Sequence, residues 1–290
     1  MTRPELELLP ATTTMGTVRL RVRDLDAVVR FYEDGAGLVR VGEGPGSVQL
    51  GLPATEASPA EVLMEITHAP DLPMRASGTA GLFHTAILYT SPADLSAAVL
   101  RLARAGARFT GSSDHLVSEA FYFDDPEGNG VELYVDRPRD QWTWTNGQVE
   151  MATIFLDPNQ YLARHLDREE GVPVGATVGH VHLQVGDTGT ARRFYVDTLG
   201  FEATFEFPGQ ALFVSAGGYH HHMAMNVWGS RGAGFRAPAL GLGRSILELG
   251  DPEAVGAAAE RLRAAGHQVD DDGAALEVDD PWGNRLRLVG

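Results

Sequence analysis

Cysteine is absent from this chain of 290 residues. Disulfide bonds, cysteine-ligated zinc or iron–sulfur clusters and thiol nucleophiles are therefore excluded. Any metal ion must be bound by histidine, aspartate or glutamate. The chain also lacks an apolar run of the ~20 residues that a membrane-spanning helix requires. Its first residues, MTRPELELLPATTTMG, do not contain the apolar core of a signal peptide, so we expect a soluble, cytoplasmic protein.

Positive charge is scarce as well. The chain has 23 Lys and Arg residues against 39 Asp and Glu residues, and its formal net charge is −16. The electric field of such a negative charge repels nucleic acid and anionic membranes, and no stripe of basic residues in the sequence offsets it. We therefore expect neither a nucleic-acid nor a membrane partner. The length and the hydrophobic content of 43% allow about two domains of roughly 150 residues each.

An internal repeat is the informative feature of the sequence. Two blocks that begin near residues 15 and 178 each contain an alternating strand, an Asp near a helix start and a helix that ends at a Gly. Two blocks that begin near residues 82 and 242 each contain a strand, a Pro-led amphipathic helix and another strand. Both of these continue into a DDPxGN sequence, within FDDPEGNGVELYVD and VDDPWGNRLRLVG, which predicts a tight hairpin.

Four units are thus predicted, and each consists of a strand, a helix and further strands. Strands mixed with one-sided helices favour an α+β layered fold. We expect the first two units to form an N-terminal domain, residues 1–136, and the last two a C-terminal domain, residues 178–290. The segment between them, residues 137–177, is expected to hold a loop and one helix.

Two of the repeated stretches resemble a known superfamily. HVHLQV…ARRFYVDTLGF and DDPEGNGVELYVD are similar to the glyoxalase, bleomycin-resistance and extradiol-dioxygenase superfamily, also called VOC, and the resemblance covers nearly the whole chain. It implies four βαβββ modules that form two paired-module, cup-shaped barrels. SDHLVSEAFYFDDPEGNGVELYVDRP, GHVHLQV and FVSAGGYHHHMAMNVW look most like two-domain catechol 2,3-dioxygenases. They imply an extradiol dioxygenase that inserts O2 into a small aromatic diol. A homo-oligomeric assembly is compatible with this resemblance.

The resemblance also implies the positions of metal ligands, in the first strand of a module and in the strand after the DPxGN turn. These positions hold His84 and Glu132 in the second module and His180 in the third. The first and fourth modules offer residues that do not suit a metal: Thr17, Arg244 and Arg287. An arginine stays protonated and cannot bind a cation. A three-ligand site therefore requires the second and third modules to share it, as in relatives that pair first with fourth and second with third.

Two histidines and a carboxylate form the facial triad of non-heme Fe(II) oxygenases. Fe(II) is the expected cofactor, and Mn(II) accepts the same ligands. The alternative for each position is an ordinary structural role, such as a solvent-facing carboxylate for Glu132. His182 lies two positions from His180 on the same strand face and could line the pocket or take the role of His180. We expect Trp142 and Trp228 to serve in packing rather than in recognition.

Three further side chains are candidates for proton transfer and substrate contact. In relatives, a His in the stretch after SAGG acts as an acid–base group near the O2 site, and alignment assigns this role to His221. Strand alternation places His220 and His222 together on the opposite face, so the choice among the three stays open. Tyr122 and His115 occupy positions that contact the substrate or bound oxygens in relatives, and the alternatives are a core aromatic and an ordinary loop histidine.

Two other functions are compatible with the sequence. A glyoxalase-type isomerase needs a fourth ligand, a Glu, and the matching position in the third module is Ala224, whereas the first module has Glu65. A non-enzymatic small-molecule-binding protein would keep the cup without the metal. Because two arginines in one cavity need acidic partners, we expect Glu65 to pair with Arg244 and Arg287 and the first–fourth cup to be structural.

Overall fold

The computed structural model describes residues 7–168 and 171–290. Over these residues one order of elements, a strand, a helix and three strands, occurs four times. This confirms the α+β fold and the four βαβββ modules. The proposed domain division also includes residues 1–6 and 169–170, which lie outside the described residues, and it remains a proposal.

The first two modules and the joining segment account for eleven strands and three α-helices. The first module contains β1 (Thr14–Val22), α1 (Leu25–Arg30), β2 (Val39–Gly44), β3 (Ser47–Leu52) and β4 (Glu61–His68), and α1 continues as a π-helical turn, Phe31–Ala36. The second contains β5 (Gly81–Tyr89), α2 (Pro92–Arg104), β6 (Arg108–Asp114), β7 (Ser118–Asp124) and β8 (Gly130–Asp136). The joining segment contains a 3₁₀ turn (Arg139–Gln141), β9 (Trp144–Thr145), β10 (Gln148–Val149), β11 (Ile154–Phe155) and α3 (Pro158–His165).

The last two modules repeat the same order. The third module contains β12 (Ala176–Gln184), α4 (Thr188–Tyr195), β13 (Glu202–Phe207), β14 (Ala211–Ser215) and β15 (Met223–Asn226). The fourth contains β16 (Gly241–Glu248), α5 (Pro252–Ala264), β17 (Val269–Asp271), β18 (Ala275–Asp279) and β19 (Arg285–Val289). Over the described residues, no helix is long and apolar enough to cross a membrane.

The local signals in the sequence have the expected structural roles. The carboxylates of Asp24 and Asp187 cap α1 and α4 by accepting hydrogen bonds from the backbone N–H groups of Ala27 and Thr190. In the DDPEGN turn, Asp125 accepts hydrogen bonds from two backbone N–H groups and from the Asn129 side chain. This turn reverses the chain between β7 and β8, and its counterpart in the fourth module does the same between β18 and β19.

The modules pair across the two halves of the chain. An eight-stranded sheet has the order β17-β18-β19-β16-β1-β4-β3-β2, and a nine-stranded sheet has the order β11-β6-β7-β8-β5-β12-β15-β14-β13. In the first sheet β1 pairs with β16, and in the second β5 pairs with β12. The first module therefore pairs with the fourth and the second with the third, as expected. The expectation of two barrels is corrected by the strand order. Among the described strands, neither sheet closes on itself.

Strand register shows which positions of the two sheets are equivalent. On β5, His84 lies across from His182 of β12, and on β16 Arg244 lies across from Arg19 of β1. The residue two positions after His84 pairs with Glu132. The residue two positions after Arg244 pairs with Arg287 in the same parallel arrangement. The two arginines thus occupy the places in the first–fourth sheet that His84 and Glu132 occupy in the second–third sheet.

The expectation that Glu65 pairs with these arginines is wrong. Glu65 accepts two hydrogen bonds of 2.8 Å from Arg19, its direct neighbour across β1 and β4. Glu277 is the carboxylate that Arg244 and Arg287 share, and Arg287 also pairs with Asp272. Glu277 lies directly across from Arg287 on β18, whereas β1 separates the strand of Glu65 from β16. Sheet order, which the sequence does not display, decides which carboxylate lies within reach.

We expect Glu277→Ala to lower the free energy of unfolding by about 1–2 kcal/mol, because it leaves two half-buried guanidinium groups without a shared carboxylate. Urea denaturation measures this change. Glu43→Ala is the matched control, since Glu43 makes an exposed ion pair with Arg40 and its loss should leave stability unchanged. Equal stabilities of the two variants would refute a structural role for the Glu277 cluster.

Candidate active site

Three side chains converge at the centre of the second–third sheet. His84 on β5, Glu132 on β8 and His180 on β12 are all buried, and Glu132 is only 3% exposed. The Nε2 atoms of His84 and His180 are 3.2 Å apart. Each lies close to Oε2 of Glu132, at 2.9 Å for His84 and 3.0 Å for His180. The structure therefore brings together the three expected metal ligands, one of which comes from the other half of the chain.

Two glycines permit this close arrangement of strands. Gly130 begins β8 directly after the turn, and a Cβ atom there would lie 2.1 Å from the carbonyl oxygen of Phe83. Gly179 precedes His180, and a Cβ atom there would lie 1.7 Å from the hydroxyl of Tyr134. The ring of Tyr134 packs against that of His180, with 5.1 Å between their centroids. Side chains larger than hydrogen at these two positions would displace the strands that carry the candidate ligands.

The electrostatics of the cluster leave Glu132 and His180 in the protonation states that a metal ion requires. Burial alone would raise the pKa of Glu132, but His180 and His84 hold it well below its usual value. Burial lowers the pKa of His180 to about 4. At neutral pH the cluster therefore consists of an anionic carboxylate and a neutral His180. Deprotonated ligands of this kind bind divalent cations.

The three donor atoms fit one face of an octahedral metal ion. The sides of the triangle they form measure 2.9, 3.0 and 3.2 Å. Adjacent ligands at bond lengths of ~2.1 Å and right angles would be about 3.0 Å apart. His180 Nδ1 is buried and has no hydrogen-bond partner among the described residues, so the polar contacts of this ring are made through Nε2. The donor set and its spacing therefore suit Fe(II) or Mn(II).

His115 and Tyr122 form a hydrogen-bonded pair beside this cluster. The Nδ1 of His115 is 2.6 Å from the carbonyl oxygen of Ala152, and its Nε2 is 2.7 Å from the hydroxyl of Tyr122. Because a carbonyl only accepts, a neutral His115 donates from Nδ1 and accepts at Nε2 a hydrogen bond from the Tyr122 hydroxyl. Burial, with a contribution from Glu132, raises the pKa of Tyr122 well above its usual value. Tyr122 thus stays protonated, and its ring lies 5.6 Å from that of His84.

His221 is the member of the histidine run that reaches the candidate metal site. Its ring centroid lies 4.1 Å from that of His180, and its side chain lines the cavity described below. His222 instead contacts the hydroxyl of Ser215. The expected strand alternation does not apply here, because β15 begins only at Met223 and residues 219–222 lie outside any strand, with bends at 220 and 222. Burial lowers the pKa of His221 well below its usual value.

Asp136, His220 and His221 form a hydrogen-bonded chain that was not predicted from the sequence. Asp136 Oδ1 is 2.9 Å from His220 Nε2, and His220 Nδ1 is 2.7 Å from His221 Nδ1. Since the carboxylate accepts a hydrogen bond from the Nε2–H group of His220, a neutral His220 accepts at Nδ1 a hydrogen bond from the Nδ1–H group of His221. His221 Nε2 is then left without a proton. Asp136 is the last residue of β8, far from His220 in the sequence.

His182 and Trp228 line the same cavity without joining the cluster. The amide of Asn226 donates a hydrogen bond of 2.9 Å to Nε2 of His182, which leaves His180 as the β12 histidine that contacts Glu132. Trp142 packs against Tyr219 and His220, as expected of a packing residue. Trp228 also packs, against Phe83 and His182, but it is 43% exposed and lines the cavity.

The cavity above the cluster has a volume of about 820 Å³. All six candidate residues line it: His84, Glu132, His180, His115, Tyr122 and His221. The rest of its wall is largely apolar and aromatic. Such a cavity, with a few convergent polar groups at its base, is typical of a small-molecule site.

Comparisons with known proteins find relatives of this chain. A family model, the Glyoxalase/Bleomycin resistance protein/Dioxygenase superfamily, matches residues 14–133 and 177–288. A catechol-2,3-dioxygenase of Bacillus subtilis (strain 168) is 35% identical over 276 residues, which cover 93% of this chain and 94% of that protein. A biphenyl-2,3-diol 1,2-dioxygenase 3 of Rhodococcus globerulus is 29% identical over 143 residues, 48% of this chain and 73% of that protein. Glyoxalase I from Zea mays shares the fold, with a TM-score of 0.58 and 16% identity over 96% of this chain and 92% of that chain.

Proposed function

The chain belongs to the Glyoxalase/Bleomycin resistance protein/Dioxygenase superfamily, and from that premise we propose that it is a metal-dependent extradiol dioxygenase acting on an aromatic vicinal diol. The observation that carries the proposal is the convergence of His84, Glu132 and His180 on one point at the base of an apolar cavity. The relation to the Bacillus subtilis catechol-2,3-dioxygenase supports the same activity.

Each candidate side chain has a role in this reaction. An Fe(II) ion held by His84, Glu132 and His180 would supply open coordination positions and electron density for the reaction of the diol with O2. His221, which has an unprotonated Nε2, accepts a proton from the diol and returns it as the ring opens. Tyr122 donates its one hydroxyl proton in a hydrogen bond to His115, which fixes the orientation of that hydroxyl, and its oxygen accepts a hydrogen bond from a substrate hydroxyl.

The overall reaction balances without a further reactant. Both atoms of O2 enter the product, one ring C–C bond beside the diol breaks, and new C–O bonds form at its two carbons. The diol supplies the electrons, so no external reductant is required. The protons stay within the site, which is consistent with acid–base groups that are buried away from water.

The surroundings of the cluster favour this activity over the isomerase. Ala224 occupies the position that the resemblance implies for the fourth isomerase ligand, and it is fully buried beside His182 on the neighbouring strand. Its equivalent in the other sheet is Glu65, next to Arg19. A methyl group cannot bind a metal, so a dioxygenase with three protein ligands is the better match.

Anaerobic reconstitution tests the proposal. The metal-free protein is loaded with Fe(II), or separately with Mn(II), and catechol and ¹⁸O2 are then added. We expect oxygen consumption equal to diol consumption, a coloured ring-opened product and two ¹⁸O atoms in that product, with no turnover by the metal-free protein. Turnover of a glutathione hemithioacetal without oxygen consumption, or a protein that binds neither metal, would contradict the proposal.

A further inference from the structure

We propose that this site selects an uncharged aromatic diol that carries a bulky apolar substituent, such as a second ring, and discriminates against diols that carry a carboxylate. The inference deepens the proposed function and rests on it, because the diol is assumed to lie above His84, Glu132 and His180. It is carried by the volume of the cavity, by the chemistry of its wall and by the placement of the cations of this chain.

The cavity is much larger than one aromatic ring requires. A cavity of roughly 150 Å³ is enough for benzene, whereas this one measures about 820 Å³. Volumes near the upper end of the range of ~300–1,000 Å³ are typical of sites for drug-sized ligands. A simple catechol at the base would leave most of the apolar wall in contact with water, and a substituent would bury that wall.

No arginine side chain of the described residues lines the cavity. The chain contains no lysine. Arg108 reaches its rim only through an ion pair of 2.9 Å with Asp124. The hydroxyl groups of Ser112 and Ser113 are engaged with backbone carbonyl oxygens. A substrate carboxylate would therefore lose part of its hydration without gaining an arginine partner, within a net charge of −16.

Aromatic side chains form the wall that would contact the substituent. Phe83 lies 5.3 Å from His84 between ring centroids, and Trp228 lies 5.8 Å from Phe83. Phe213 and Phe205 continue the wall on the side of His221, with centroids 5.6 Å apart. Trp228 is half-exposed at the opening of the cavity. The ring of Phe83 contacts both Trp228 and the candidate metal ligand His84. A second ring on the substrate would reach the faces and edges that this wall presents.

Anaerobic calorimetry on the Fe(II)-loaded protein tests the inference with two ligand pairs. The first pair, catechol and 3-phenylcatechol, differs by an uncharged ring, and we expect the latter to bind at least about tenfold more tightly. The second pair, 4-isobutylcatechol and 3,4-dihydroxyphenylacetate, differs in charge at similar shape. We expect the neutral ligand to bind at least about tenfold more tightly. Equal affinities within either pair, or tighter binding of the carboxylate, would overturn the inference.

Two variants locate the selectivity in the wall. Trp228→Ala should weaken the binding of 3-phenylcatechol about threefold to tenfold and leave the affinity for catechol unchanged. Trp144→Ala is the control, because Trp144 is similarly exposed (42%) but does not line the cavity. It should change neither affinity. Phe207→Arg places a cation at the opening of the cavity. It should reduce the ratio of the affinities for 4-isobutylcatechol and 3,4-dihydroxyphenylacetate about fivefold. Equal weakening of both first-pair ligands by Trp228→Ala would remove Trp228 from the explanation.

Turnover of the same four diols under O2 is measured separately, so that the two claims can fail independently. If the affinities follow the expected order but no oxygen is consumed with any of the four diols, the dioxygenase function is refuted and the selectivity is retained. Rapid turnover of all four diols with equal affinities would retain the function and refute the selectivity.

Discussion

His84→Ala will abolish stoichiometric metal binding and reduce diol cleavage by about 10³-fold or more. The loss exceeds the ~10–100-fold that is usual for residues which only support a ligand, because one of three protein ligands is removed. His84 Nε2 lies 2.9 Å from Glu132 and 3.2 Å from the His180 ring nitrogen, and His182, the nearest alternative histidine on β12, is held by Asn226. Metal content after anaerobic reconstitution and oxygen consumption are the two measurements.

The control for this variant is His68→Ala. His68 is an exposed histidine at the end of β4, in the other sheet, so its loss should leave metal content and turnover unchanged. Circular dichroism establishes that both variants are folded. A folded His84→Ala protein that still binds one equivalent of Fe(II) as tightly as the wild type would show that His84 is not a ligand.

His221→Ala will retain the metal and lower kcat by about 10²-fold, the usual scale for losing a positioned acid–base group. The separation of the two effects follows from the geometry. His221 packs against His180 but is not part of the triangle of donor atoms around Glu132. Metal analysis and steady-state kinetics on one preparation measure both quantities. Loss of metal from His221→Ala to the same extent as from His84→Ala would refute the assignment of separate roles.

Asp136→Asn distinguishes orientation of His221 from its mere presence. The amide can still contact His220, but the charge that fixes the proton on His220 Nε2 is gone. We expect a decrease in kcat smaller than that of His221→Ala, with KM unchanged, and partial recovery in Asp136→Glu. A change in KM alone would indicate a purely structural role for Asp136.

The resemblance to the superfamily implied that the metal ligands lie in the first strand of a module and in the strand after the DPxGN turn. Because the modules repeat, these positions could be located in the sequence as His84, Glu132 and His180. Elimination of Thr17, Arg244 and Arg287 then required the second and third modules to face each other. The sheet order agrees with that pairing.

Other features depend on geometry that the repeat does not encode. His221 could not be separated from its neighbours because residues 219–222 lie outside any strand and do not alternate. The contact of Asp136 with His220 spans a sequence separation of 84 residues. Glu277, rather than Glu65, neutralises Arg244 because β1 lies between β4 and β16. In each case a backbone turn or the order of strands, and not residue type, decides the contact.

The central claim is that one metal ion is bound between the two halves of the chain, in the second–third sheet alone. Anomalous diffraction at the iron absorption edge, from crystals of the anaerobically Fe(II)-loaded protein, tests it most directly. The account predicts one peak per chain within ~2.3 Å of His84 Nε2, His180 Nε2 and a carboxylate oxygen of Glu132. A peak between Thr17, Arg244 and Arg287, or no peak near His84 in protein that contains iron, would contradict it.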